Sequence, residues 1–102
     1  MTFSDGLAKM RSVLRTSRSG IPGRVVRRAG AVATLLGAEG RSAVVHVSPA
    51  QDARPMDFVL YVLFAANSDD TEFHTAISYD RNDDNDVIVD RIHRWLDVGA
   101  AD

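Results

Sequence analysis

The segment Asp80-Arg-Asn-Asp-Asp-Asn-Asp86 offers the densest set of hard oxygen ligands in this sequence, and calcium is the chemistry it invites. Calcium takes six to eight oxygens, and a twelve-residue loop beginning at Asp80 would place Asn82 and Asp84 at its third and fifth positions. The sixth position needs a glycine for a sharp turn, and Asn85 stands there. The twelfth needs a bidentate glutamate, and Arg91 stands there. The two diagnostic positions fail, so the segment reads as a solvated loop that also caps a helix.

The three histidines are His46, His74 and His93. Zinc wants three or four convergent ligands, usually with two close in sequence, and no His-x-x-His or His-Glu-x-x-His pair is present. His46 and His74 fall on the polar sides of their segments and could approach each other. His93 follows Asp90 by three residues and precedes Asp97 by four, a spacing that suits ion pairs on one helix face. No Gly-x-Ser-x-Gly elbow or Ser-x-x-Lys marks a nucleophile, and the carboxylates cluster in turns rather than beside apolar walls. No Gly-Lys-Ser/Thr follows a glycine-rich turn. Gly20-Ile-Pro-Gly23 and Gly37-Ala-Glu-Gly40 have the Gly-x-x-Gly form that clamps RNA backbone in KH domains, but Glu39 is of the wrong charge and both read as ordinary turns.

Charge is distributed unevenly. Residues 1–55 carry nine basic and three acidic side chains, net +6, whereas residues 56–102 carry three basic and eleven acidic ones, net −8. The basic run Arg11–Arg28 could bond phosphate in a fork. Against nucleic acid stand the acidic total of −2 and the lack of any aromatic beyond Phe3 in the first half of the chain. An acidic protein surface satisfies the same arginines, and the C-terminal half of another copy is one such surface. A protomer basic at one end and acidic at the other suits head-to-tail packing.

The elements that must position these groups follow from periodicity. The chain has 102 residues, 45% hydrophobic and 25% charged, and no cysteine. This composition suits one globular domain and excludes a disulfide scaffold or a thiolate metal site. Met1-Thr-Phe-Ser-Asp-Gly6 has no basic stretch leading into an apolar block, and the longest apolar run, Phe58–Ala66, is too short to span a membrane as a helix. A cytoplasmic protein, or part of an assembled particle, is expected.

Phe3, Leu7, Met10 and Leu14 recur at helical spacing, with Ser4 or Asp5 as cap and an end near Ser17–Gly20. Arg24–Leu36 admits two readings: a hairpin of Arg24–Arg27 and Val32–Leu36 turning around Ala29-Gly30, or a helix over the same stretch. Paired valines and the cost of Gly30 inside a helix favour the hairpin. Ser42–Ser48 alternates as a half-buried strand. Asp57–Ala66 is apolar on alternate and intervening positions alike, which predicts a central strand covered on both sides. Glu72–Tyr79 alternates again, in an antiparallel hairpin with the preceding strand. Asp86 then caps a helix from Val87 to Val98 that buries Ile88, Ile92, Trp95 and Leu96, although Val87-Ile-Val89 leaves a short opening strand open as an alternative.

This order of elements, with Val89-Asp-Arg-Ile-His-Arg-Trp95 near its end, resembles small head–tail joining proteins of tailed phages. The resemblance implies a virion component and carries no residue role to this chain.

The sequence therefore predicts one α+β domain over residues 1–102. Residues 1–20 form a helix and basic loop, 21–80 a small, mostly antiparallel sheet of four or five strands, and 81–102 an acidic turn and helix. The function expected is a non-catalytic protein–protein interaction domain, a structural subunit that packs into a homo-oligomer or a larger complex. Its interface sets Arg15, Arg18, Arg24, Arg27 and Arg28 against Asp83, Asp84 and Asp86. The alternative is an inhibitor or immunity-type protein that blocks a basic cleft with Asp69, Asp70, Asp80, Asp83, Asp84 and Asp86. Catalytic, cofactor-binding and metal-binding residues are expected to be absent, and no cofactor is expected.

Overall fold

The computed structural model describes residues 3–15, 25–49, 58–66 and 75–99. Helix α1 (Phe3–Arg15) leads into strands β1 (Val25–Ala29), β2 (Val32–Leu36), β3 (Ser42–Pro49), β4 (Phe58–Ala65) and β5 (Thr75–Tyr79), and helix α2 (Asn85–Val98) closes the chain. A short 3-10 turn, Ala38–Gly40, separates β2 from β3. The strands lie in one sheet in the order β1-β2-β3-β4-β5, every neighbouring pair antiparallel. The α+β architecture is the one the periodicity predicts, with five strands.

The ambiguous stretch is a hairpin. Ala29 pairs with Val32 across a two-residue turn, and Gly30 takes φ +58 there, a left-handed value that its missing Cβ makes cheap. The turn sits at Gly30-Ala31, one residue later than predicted, and β1 begins at Val25 and runs on to Ala29. Pairing of β2 with β3 then holds the hairpin as sheet.

The helices pack side by side on one face of the sheet. Alternate residues Ala33, Leu35, Ala43, Val45, Val47, Leu60, Val62, Phe64 and Tyr79 point to that face and join Met10, Val13, Leu14, Ile88, Val89, Ile92, Trp95 and Leu96 in a single core. Burying one such leucine or phenylalanine is worth about 1.5–3 kcal/mol, and here the benefit falls on one side of the sheet. Gly6 lets α1 approach closely, because an added Cβ would lie 2.5 Å from Val47 Cγ1. Phe3 is exposed yet stacks obliquely on Phe58, with ring centroids 5.0 Å apart.

Three predicted caps and boundaries change. Helix α1 already begins at Phe3, so Ser4 and Asp5 lie within its first turn. Asp84, not Asp86, is the N-cap of α2 and accepts from the Asp86 amide at 2.8 Å. Helix α2 starts at Asn85, so Val87-Ile-Val89 is helical rather than a strand. Gly99 ends it in the left-handed conformation.

Strand β4 is an interior strand, as predicted, and both described helices lie on the same face of it. Val59, Tyr61 and Leu63 point away from the core and remain half-buried. Their apolar character predicted a cover that neither helix provides.

Candidate interaction surface

The face that neither described helix covers is built row by row from the strand register. One row runs Ala29, Val32, His46, Tyr61 and Ser78. The next runs Arg27, Thr34, Val44, Leu63 and Ala76. Ser48 and Val59 extend the face at one end, and Leu36, Ser42 and Ala65 at the other. Val32 is 41% and Leu36 39% exposed, whereas Ser42 and Ala65 are buried. Five strands at about 4.8 Å spacing and four rows at about 6.8 Å give a face of roughly 20 Å by 20 Å. Val32, Leu36, Val44, Val59 and Leu63 make its aliphatic part, with Tyr61 and His46 among them, and Arg27 is the cation on its β1 side. A groove of about 300 Å³ runs along that side between Arg27, Ala29, Val32 and Thr34.

His46 sits at the centre of this face and stacks on Tyr61, with ring centroids 5.5 Å apart and planes at 19°. Burial holds its imidazole below the ordinary value, against a backbone hydrogen bond at Val47 that favours the charged form. The approach of His46 to His74 predicted from sequence involves a residue outside the described set. His93 is on α2, and its Nδ1 lies 3.7 Å from Asp97 Oδ2, on the helix face that the spacing predicts. Among the described residues no three His, Asp or Glu side chains converge on a metal-sized space.

The two edges of the sheet differ in charge. Arg27 and Arg28 are exposed on β1 at one edge. The exposed acids Asp80, Asp83, Asp84 and Asp86 follow β5 at the other. Arg15 is exposed at the end of α1, its Nε bonding the Arg11 carbonyl at 3.3 Å. Arg18, Arg24, Asp69, Asp70 and the Gly20–Gly23 turn lie outside the described residues.

The acidic loop is largely engaged in its own folding. Asp80 Oδ1 accepts from the Asn82 amide and Asp83 Oδ2 from the Asp80 amide, both at 2.8 Å. Lys9 on α1 bonds the Asp83 carbonyl and, at 2.8 Å, Asn85 Oδ1, while Asn85 Nδ2 donates to Ser12 Oγ at 2.6 Å. Arg81 reaches Asp5 at 3.3 Å. These contacts pin the loop to α1, and leave Asp83 and Asp86 presented to solvent.

Other residues were not legible as partners in the sequence. Arg41, just before β3, donates from Nε to the Trp95 carbonyl at 2.8 Å and from its terminal nitrogen to the Leu96 carbonyl at 3.3 Å. Trp95 Nε1 returns a bond to the Ser42 carbonyl at 2.9 Å. Tyr79 is buried, and its hydroxyl has no hydrogen bond of good geometry among the described residues. Burial raises its phenol pKa, while the nearby Arg91 guanidinium acts in the opposite direction.

The open face itself was missed, although its signal was present. Val59, Tyr61 and Leu63 alternate with Leu60, Val62 and Phe64, and the two described helices cover only one side of the five strands. No family model, curated protein or solved structure matches this chain.

Proposed function

We propose that this chain is a non-catalytic protein–protein interaction domain, a structural subunit that assembles with further copies of itself. The observation that carries the reading is the open face of the sheet, apolar across its central strands and covered by neither helix. Contiguous apolar patches of more than a few hundred Å² are uncommon on monomers and mark surfaces used by protein partners. The whole face has a footprint of roughly 400 Å² from the strand and row spacings, and Val32, Leu36, Val44, Val59, Tyr61 and Leu63 form the apolar part of it.

The distribution of charge supports a second copy as the partner. The basic edge at β1 and the acidic edge beyond β5 complement each other on separate molecules, because the whole width of the sheet keeps them apart within one. The strands separate them by about 19 Å, beyond the screening length of about 8 Å at physiological ionic strength.

Light scattering after size exclusion tests the reading. A mass of two or more chains, held over a range of concentrations, is expected. A mass of one chain at the highest soluble concentration would overturn it. Capture of a basic protein partner by that monomer would then place the acidic loop, rather than the open face, at the centre of the function.

A further inference from the structure

We infer that copies of this chain join head to tail, the outer edge of β5 on one copy pairing in parallel with the outer edge of β1 on the next. This rests on the self-assembly reading above and adds to the open face a second contact, through the strand edges.

Among the described residues, β1 pairs only with β2 and β5 only with β4, so each has an edge of backbone donors and acceptors with no strand beside it. Both strands are five residues long. An exposed strand edge is a template for another strand. Proteins commonly guard such edges with charge and with bulges. Strand β1 has both, Arg27 and Arg28 and a register shift between Val25 and Arg27. Those arginines repel most basic surfaces. The acidic turn that follows β5 attracts them.

The direction of the strands decides how two copies meet. In an all-antiparallel sheet of consecutive strands, β1, β3 and β5 run the same way. A second copy moved sideways without being turned over therefore sets its β1 parallel to β5 of the first. Parallel pairing aligns the C-terminal ends of the two strands. Arg27 and Arg28 lie toward the C-terminal end of β1, Asp80 and Asp83 follow the C-terminal end of β5, and Asp86 lies in the first turn of α2 beyond them. Opposite charges then meet at the same end of the junction.

The symmetric alternatives fail on charge. Antiparallel pairing of β1 with β1 sets the arginine pair of one copy against that of the other. Like charges across a pair of strands are destabilising. Antiparallel pairing of β5 with β5 sets the two acidic turns at opposite ends of the junction, where neither meets Arg27 or Arg28. A head-to-tail contact uses two different surfaces, so it propagates until a rotation closes it into a ring. Joined this way, each sheet continues into the next, with helices on one side and the apolar rows of Val44, Tyr61 and Leu63 on the other.

Two charge-reversed variants and their mixture test the junction. R27E/R28E makes the β1 edge acidic, and D83K/D86K makes the β5 end basic. Asp84 is kept because it caps α2. Each variant alone, confirmed as folded by circular dichroism, should show a dissociation constant raised by about tenfold or more at low salt, as expected when attraction becomes repulsion. Mixed in equal amounts they should regain the wild-type mass, because the acidic β1 edge of one meets the basic β5 end of the other.

If wild type assembles and R27E/R28E retains its mass, the head-to-tail junction is wrong while self-assembly stands. Failure of the mixture to regain mass also overturns the junction. A wild-type chain that stays monomeric overturns the self-assembly reading and the junction with it.

Discussion

Replacing Arg41 by methionine should loosen the end of α2 and lower the stability of the whole domain. Arg41 holds two carbonyls of the last turn, those of Trp95 and Leu96, with a side chain that is 12% exposed. The Trp95 carbonyl keeps the Gly99 amide at 2.9 Å when the guanidinium is removed, so it stays bonded. The Leu96 carbonyl loses its guanidinium donor. A hydrogen bond from a charged group contributes about 1.5–3 kcal/mol, and a cation at a helix C-terminus adds about 0.3–1 kcal/mol. One such bond in full, the weakening of a second and the dipole contribution together give a loss of about 2–3 kcal/mol. Methionine keeps an aliphatic stem beside Gly99, so the loss reports the polar contacts rather than packing. The 3.1 Å pair of Arg41 with Glu39 is a poor explanation of any effect, because Glu39 is 84% exposed. Glu39→Gln should therefore change stability by less than about 0.5 kcal/mol. Urea unfolding followed by Trp95 fluorescence measures both variants. If Arg41→Met falls within about 0.5 kcal/mol of wild type, the typical scatter of a surface substitution, the capping argument is refuted.

Two further predictions follow from single residues. Burial keeps the folded-state pKa of His46 below its ordinary value of 6.5, so the unfolded chain binds more protons between those two values. Stability should be full above pH 6.5 and fall as the pH drops toward the folded-state value. Urea midpoints on either side of pH 6.5 should show a slope that His46→Gln flattens, and equal slopes would exclude His46 as its source. Gly37→Ala would place a methyl carbon 2.6 Å from Leu96 Cα, where the β2–β3 turn meets α2. Overpacking against backbone costs about 1–3 kcal/mol, and Trp95 emission should shift to the red as α2 lifts from the sheet. A variant as stable as wild type would show that the turn yields easily.

Local pattern made much of the architecture legible. The spacing of Met10 and Leu14, the alternation of Ala43, Val45 and Val47, and the face shared by Ile88, Ile92, Trp95 and Leu96 each reflect a repeat set by backbone geometry. Periodicity is a property of neighbours in sequence, so it survives without knowledge of the fold. The hairpin at Ala29–Val32 was balanced against a helix because its preference is decided by pairing with β3, which is remote in sequence.

The interaction surface was legible only in part. The opposition of Arg27 and Arg28 to Asp83 and Asp86 is present in the composition of the two halves, but their location at opposite edges comes from the strand order. Arg41 gave no local sign of its role, because its partners on α2 are 54 and 55 residues away. Sequence by itself determined that Val59, Tyr61 and Leu63 are apolar. Only the tertiary structure decided that both described helices lie on the opposite face, because where a helix packs depends on long-range burial and chain connection, and no repeat within the strand records it.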